Sequence, residues 1–294
     1  MARILLTGGT GYVGSHTAVE LIGAGYETLL LDNLANSSPA VVDRIATITG
    51  TRPAFVEGDV CDRATVDRVL AAHPIDAVVH FAGLKAVAES VAHPLDYYAN
   101  NVGGTMTLLQ AMEARGVRRL VSSSSATVYD PGSAMPLSES SPIGPVNPYG
   151  KSKRMVERIL ADLARSDERW RVLALRYFNP VGAHESGLIG EDPRGAPNNL
   201  MPVVARVAVG TLPRLAVFGD DYATPDGTGV RDYVHVIDLA TGHVAALRRL
   251  LAEAPPEHGV VNLGTGRGHS VLEVVRAFET ASGRKVPYDV APRR

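Results

Sequence analysis

Thr7-Gly8-Gly9-Thr10-Gly11-Tyr12-Val13-Gly14 closes a short apolar run, Ile4 to Thr7, and opens an amphipathic stretch that reaches about Ala24. The glycines follow the spacing G-x-x-G-x-x-G. Positions without a side chain let a backbone turn tightly and approach a pyrophosphate, whose charge is stabilised by free N–H groups and the dipole at a helix start. A plain glycine turn has the same composition. What distinguishes this one is its place after the first strand and before the first helix, the context a dinucleotide site requires.

Outward from that turn, short apolar runs recur with helix-like stretches between them: Thr28 to Leu31, Ala54 to Val56, Ala77 to Phe81, Leu120 to Ser123 and Val172 to Leu175. Runs apolar on consecutive residues suit strands buried on both faces. The expected fold is therefore α/β, a doubly wound parallel (Rossmann-type) sheet over residues 1–178. After Tyr177 the texture turns to glycine, proline and asparagine, as in Asn179-Pro180-Val181-Gly182. Residues 179–294 read as a smaller, mixed substrate-binding unit. The segment 234–264 again reads as helix then strand and could rejoin the first sheet.

Asp32 ends the second strand, 18 residues past Gly14. A carboxylate there can accept both ribose hydroxyls of NAD, whereas the 2'-phosphate of NADP would meet like charge. An acid at a strand end is otherwise a solvated turn. Asp59, after the third strand, and Phe81-Ala82-Gly83, after the fourth, fall where loops would flank the adenine and the pyrophosphate.

Tyr149-Gly150-Lys151-Ser152-Lys153 opens a helical stretch to about Ala164, with Pro148 as its start signal. Residues four apart on a helix share a face, so the Lys153 ammonium can stand near the Tyr149 phenol. A free tyrosine has a pKa of about 10, and lowering it by ~3 units takes roughly 4 kcal/mol. Lys153 and a cationic nicotinamide are suitable suppliers. Ser122-Ser123-Ser124-Ser125 follows the fifth strand, and Ser125 could pass a proton between a sugar and the phenolate. A bare Y-x-x-x-K is common by chance. The glycine turn and the serine strand end, in this order, give it meaning.

Bulk properties narrow the classes. The chain has 294 residues, 45% hydrophobic and 20% charged, with 29 basic and 31 acidic residues for a formal charge of -2. No global positive field gathers nucleic acid or anionic lipid, and no apolar run is long enough to span a bilayer. A single cysteine, Cys61, and a first strand without a signal-peptide pattern fit a cytoplasmic protein. No metal ligand set is expected.

With these features placed, the sequence resembles the UDP-glucose 4-epimerase family of extended short-chain dehydrogenases along essentially its whole length. Beyond the glycine turn, the resemblance rests on four stretches: His80-Phe-Ala-Gly-Leu-Lys-Ala-Val-Ala-Glu-Ser90, Leu175-Arg-Tyr-Phe-Asn-Pro-Val-Gly-Ala-His184, Pro197-Asn-Asn-Leu-Met-Pro202 and Asp226-Gly-Thr-Gly-Val-Arg-Asp-Tyr-Val-His235. It implies an NAD-dependent isomerase acting on a UDP-hexose, with Tyr149 as base, Lys153 as its electrostatic partner and ribose contact, and Ser125 as relay. Cofactor contacts carry over to Gly8, Gly11, Tyr12, Val13 and Gly14, to Asp32, Asn33, Asn36 and Ser37, and to Asp59 and Val60. The remainder are Phe81, Ala82, Gly83, Lys85, Asn100 and Tyr177, besides Tyr149 and Lys153. Toward the UDP-sugar the resemblance points to Asn179, Asn198, Asn199, Leu200, Ala216, Phe218, Arg231 and Arg294, with Ser125 and Tyr149 at the sugar. The stretches Pro94 to Arg115 and Tyr149 to Ala164 resemble the pair of helices through which that family forms homodimers.

Two departures stand out. Asp130 replaces a usual glycine after Val128-Tyr129, and the chain stops at Arg294, short of the family's usual length. The further tail would line the sugar pocket, so a chain ending here is expected to bind NAD but UDP-sugar weakly. Independently of any resemblance, a diphosphate needs fixed cationic forks, and Arg231 and Arg294 are candidates. The rival enzyme is a nucleotide-sugar 4,6-dehydratase, which wants an Asp-Glu pair where this chain has Ser125-Ala126-Thr127. A non-enzymatic dinucleotide sensor would need the glycine turn but not Tyr149 and Lys153.

Overall fold

The computed structural model describes residues 1–194, 197, 199–252 and 258–293. Its first half alternates strand and helix. β1 (Arg3–Thr7) leads into α1 (Tyr12–Gly23), β2 (Glu27–Asp32) into α2 (Ala40–Thr49), and β3 (Ala54–Glu57) into α3 (Arg63–Ala72) before β4 (Ala77–His80). Next come α4 (Val87–Ala92), α5 (Pro94–Tyr97) and, after a wide π-helical turn at Tyr98–Gly103, α6 (Gly104–Ala114). β5 (Arg119–Ser125), α7 (Pro148–Ser166) and β6 (Arg171–Tyr177) complete this half.

The second half contains β7 (Asn179–Val181), α8 (Leu200–Ala208), β8 (Leu215–Phe218), β9 (Val230–His235), α9 (Val236–Leu251) and β10 (His258–Leu263). It closes with β11 (Gly268–Ser270), α10 (Val271–Ser282) and β12 (Tyr288–Ala291). Among the described residues the large sheet has seven strands in the order β10-β6-β5-β4-β1-β2-β3, all pairs parallel. β11-β9-β7 and β12-β8 form two small sheets.

Period-two alternation explains why the large sheet is buried on both faces. Ile4, Leu6, Leu30, Val79, Val121 and Leu173 point to a core that also holds Leu21 of α1 and Leu247 of α9. Leu5, Leu29, Leu31, Val78, Leu120 and Val172 point the other way, against Val66 of α3, Leu108 of α6 and Leu160 of α7. Burying each such side chain contributes roughly 1.5–3 kcal/mol. The chain therefore commits its strands to a two-faced layer.

Register then sets the site. Thr7 is level with Leu31 and His80, His80 with Ser122, and Tyr177 with both Ser125 and Leu263. The strand order reverses beside β1, whose neighbours are β2 and β4. A crevice outside the carboxyl ends at such a reversal is where doubly wound sheets hold ligands.

The stretch from Pro94 is not one helix. Asn101, inside the wide turn, accepts from the Leu84 N–H at 2.8 Å and donates to the Leu84 carbonyl at 3.0 Å and to Ser152 Oγ at 3.1 Å. These bonds tie the loop after β4 to α7, a use of π turns often met near functional sites.

Candidate active site

The glycine turn is fixed by sterics. Gly8 adopts a φ of +70°, and a Cβ there would stand 2.7 Å from the Ala82 nitrogen. A Cβ at Gly14 would stand 2.2 Å from the Gly8 carbonyl oxygen. Both approaches are closer than real Cβ atoms make, so these glycines hold open a cradle at the start of α1. Its shape suits a pyrophosphate.

Asp32, nearly buried, accepts from the Thr10 N–H at 3.0 Å, the Leu34 N–H at 2.9 Å and Ser37 Oγ at 3.2 Å. A carboxylate has about four lone-pair sites. One remains for a ligand hydroxyl, and a bound ribose would compete with Ser37 for a second. Next to it, Asn33 donates to Asp59 Oδ2 at 2.9 Å. Burial raises the Asp59 carboxyl, but hydrogen bonds led by the Cys61 N–H outweigh it and hold the group below its ordinary range. Tyr12 donates to the Gly182 carbonyl at 2.7 Å, clamping α1 to the loop beyond β7.

Lys153 stands over the serine strand end. Its Nζ donates to the Ser123 carbonyl at 2.9 Å and to Ser123 Oγ at 3.3 Å, and lies 5.9 Å from the Tyr149 ring centroid. Burial lowers its pKa to about 8, against the opposing pull of Glu157. Burial raises the Tyr149 phenol, and the Ser125 hydroxyl beside it acts in the opposite sense. Ser125 Oγ also accepts from the Thr127 N–H at 3.2 Å and from Thr127 Oγ1 at 2.9 Å. The three serines thus separate: Ser123 serves Lys153, Ser125 faces Tyr149, and Ser124 donates to Glu157 at 2.6 Å. Asn147 caps α7, accepting from the Gly150 N–H at 2.8 Å, with Pro148 at the first position.

Every candidate named from the sequence that falls among the described residues lines one cleft of about 2470 Å³. The cofactor candidates lie around Gly8 to Gly14 and along the ends of β2 to β6. Asn179, Asn199, Leu200, Ala216, Phe218 and Arg231 face them from the second half. Arg231 Nη1 donates to the Val230 carbonyl at 2.7 Å, and its side chain is exposed. Asn198 and Arg294 lie outside the described residues.

Other residues, in the cleft and behind it, escaped the sequence reading. Glu191 accepts from Lys85 Nζ at 3.0 Å and Asn199 Nδ2 at 2.5 Å, joining a cofactor candidate to a sugar-nucleotide candidate. No local pattern marks it, since its partners are far along the chain. Glu157 and Arg176 form a buried bidentate pair, both contacts 2.8 Å, behind the serine strand end. Here a signal existed: Tyr149, Lys153 and Glu157 are spaced by four and share one helix face. Among the described residues no helix is long and apolar enough to cross a membrane.

Comparison with known proteins agrees with this geometry. Residues 4–264 match the NAD dependent epimerase/dehydratase family. The chain is 58% identical over 291 residues to a UDP-glucose 4-epimerase of Bacillus subtilis, covering 99% of this chain and 85% of that protein. It is 57% identical to a UDP-glucose 4-epimerase of Neisseria meningitidis, covering 100% of this chain and 86% of that one. Two solved structures superpose closely. UDP-glucose-4-epimerase from Stenotrophomonas maltophila, with bound NAD and formylated UDP-arabinopyranose, gives a TM-score of 0.96 at 51% identity, covering 100% of this chain and 87% of that chain. UDP-glucose 4-epimerase from Bifidobacterium longum, in complex with NAD+ and UDP, gives 0.95 at 52% with the same coverage.

Proposed function

The chain belongs to the NAD dependent epimerase/dehydratase family, and from that premise we propose that it inverts C4 of UDP-glucose and UDP-galactose through a transient 4-keto sugar. The enzyme is an isomerase and its cofactor is NAD. The observation that carries the reading is the grouping of Tyr149, Lys153 and Ser125 at the carboxyl end of β5, next to a glycine cradle that a Cβ would fill. A dehydratase needs an acid–base pair at that strand end, where this chain has Ser125-Ala126-Thr127.

Gly8, Gly11 and Gly14 would admit the NAD pyrophosphate, and Asp32 would accept from the adenosine ribose, disfavouring a 2'-phosphate. Lys85, Asn100 and Tyr177 line the remaining cofactor path. When bound, NAD supplies a hydride acceptor for C4, a hydride donor to the opposite face of the ketone, and a positive charge near the base. Tyr149 takes the C4 hydroxyl proton, directly or through Ser125, and gives it back to the inverted alkoxide. Lys153 makes that possible by stabilising the phenolate, since burial alone holds the phenol neutral. Asn179, Asn199, Leu200, Ala216, Phe218 and Arg231 hold the UDP, with Asn198 and Arg294 assigned to the same end. A hexose anchored only by its nucleotide is free to turn over.

The same reading makes the protein a homodimer, because α4, α5, α6 and α7 expose Val91, Leu95, Met106 and Met155. It places the enzyme in the cytoplasm, where an exposed Cys61 stays reduced. The deciding experiment is incubation with UDP-galactose deuterated at C4. Epimerisation predicts UDP-glucose with the label still at C4, no solvent exchange there, and no stoichiometric consumption of NAD. NADH accumulating in solution would mark a dehydrogenase instead, and loss of the C6 hydroxyl a dehydratase.

A further inference from the structure

Glu191 sits between β7 and α8, and its side chain is only 8% exposed although it lines the cleft. One carboxylate oxygen, Oε1, takes both of its bonds, from Lys85 Nζ at 3.0 Å and from Asn199 Nδ2 at 2.5 Å. The other, Oε2, is buried and has no partner among the described residues. A buried carboxylate is costly unless it is paired, so Lys85 and Asn199 carry the compensation this one receives. Each donor depends on it in turn. Lys85, half exposed, has no other hydrogen bond or ion pair among the described residues.

Asn199 shows the preference most directly. It is the N-cap of α8, a position where asparagine ordinarily accepts from the helix's first N–H groups, yet its side chain makes no such bond. A carboxylate only accepts, so the amide nitrogen is the end turned to Glu191. Held that way, Asn199 leaves the Leu200 and Met201 N–H groups uncapped at the cleft that both residues line. The segment carrying Glu191 is fastened to the opposite side. Tyr12 donates to the Gly182 carbonyl at 2.7 Å and the Arg194 N–H donates to Asn36 Oδ1 at 2.9 Å, so with Lys85 the turns after β1, β2 and β4 all hold it. Asn199 belongs instead to α8, which packs through Leu200 and Val204 against Val217 of β8 and Val275 of α10.

We propose that Glu191 is a positioning residue that couples the two ligands. Through one oxygen it holds Lys85 for the cofactor and keeps Asn199 off the start of α8 for the sugar nucleotide, so that each ligand tightens the hold on the other. This deepens the epimerase reading and rests on it for the identity of the two ligands. Coupling follows because a ligand that fixes Lys85 also fixes the carboxylate bonded to it, and Asn199 then need not be ordered anew when the second ligand arrives. The same holds in reverse. It also meets a need of the reaction, in which the reduced cofactor must stay bound until its hydride is returned.

The rate at which labelled NAD leaves the loaded protein into excess unlabelled NAD, with and without UDP, reads the coupling without turnover. The temperature is chosen so that the wild type exchanges within hours. Coupling between sites is ordinarily about fivefold or more and is expressed mostly in dissociation, so saturating UDP should slow release by about that factor in the wild type. Glu191→Met keeps the length of the side chain but no acceptor. In it release should be faster, the slowing by UDP should be lost, and the dissociation constant of UDP in calorimetry should rise by about the same factor. Glu191→Gln keeps an acceptor oxygen for both donors and should retain the slowing. If Glu191→Met fails to fold, Lys85→Met cuts the same link from the cofactor side and should also abolish the effect of UDP. A lowered melting temperature in Glu191→Met with the UDP effect intact, or a wild type whose release ignores UDP, would overturn the proposal. A UDP effect that depends on Glu191 in a protein that interconverts no UDP-hexose would instead sink the epimerase reading and leave the coupling standing.

Discussion

Tyr149 and Lys153 owe their behaviour to the same burial acting on opposite charges. The phenol is driven up and the ammonium down to about 8, so each is poised only through the other. Tyr149→Phe should keep the fold and NAD affinity while lowering kcat by about 10²–10⁴, the usual worth of a positioned base. Near-normal turnover would place the base elsewhere. Asp32→Ser should raise NADP affinity relative to NAD by roughly tenfold or more, since a close like charge near a protein surface costs several kcal/mol at contact; an unchanged ratio of dissociation constants would contradict the assignment. The buried histidines add an acid limit to stability. His80, held between Thr7 and Thr105 at 2.6 and 2.9 Å, has its pKa lowered from 6.5 to about 3, and that of His243 falls to about 4. Unfolded histidine binds its proton first, so their contribution is complete above pH 6.5 and is lost as pH falls toward those values. Each adds about 1.4 kcal/mol per pH unit to the slope in that window. Urea unfolding at pH 7 and pH 5 measures it, and equal stabilities would refute the claim.

At the scale of elements, the β1–α1 turn is the most sharply testable. Gly14→Ala puts a methyl group 2.2 Å from a backbone oxygen and should abolish most NAD binding in calorimetry. Gly23→Ala, near the end of the same helix and with nothing within 4 Å, should bind NAD normally and gain up to about 1 kcal/mol. Similar losses in both would mean that the added methyl group disturbs the helix wherever it is placed and that the cradle does not govern the site. This turn was legible in the sequence because its signal is local: strand, spaced glycines and helix follow one another within a few residues. The pair on α7 was legible for the same reason, a single helical period. Glu191, Ser123 and His243 were not, because their partners arrive from other strands and loops. His243 touches a tyrosine 66 residues away, and nothing in an amphipathic helix says which strand end it will meet. The wide turn at Tyr98–Gly103 was hidden likewise, since it answers to Leu84 and Ser152 rather than to its own composition.

For the whole molecule, the chain leaves the large sheet after β6, builds the side of the cleft opposite the glycine turn, and returns by α9 to pair β10 with β6. The exposed apolar side chains on α4 to α7 then predict the assembly. Leu95 is 79% exposed and Val91 63%, a surface that a monomer would leave in water. Sedimentation should find a dimer for the wild type and a monomer for Leu95→Glu. A wild-type monomer would remove the proposed interface. Behind the cleft, the Glu157–Arg176 pair joins α7 to β6, and Arg176 continues to Tyr129 at 2.9 Å, which in turn donates to Asn262 of β10 at 2.6 Å. That linkage has a consequence for descent. A lineage that changes either charge alone is left with the other buried and unmatched, at about 3–5 kcal/mol, much of a typical margin of roughly 5–15. An apolar replacement of both could be as stable, yet it lies two codon changes away with a failing protein between. The pair can persist through generations because the route out is blocked, whether or not it is the strongest arrangement the site could hold.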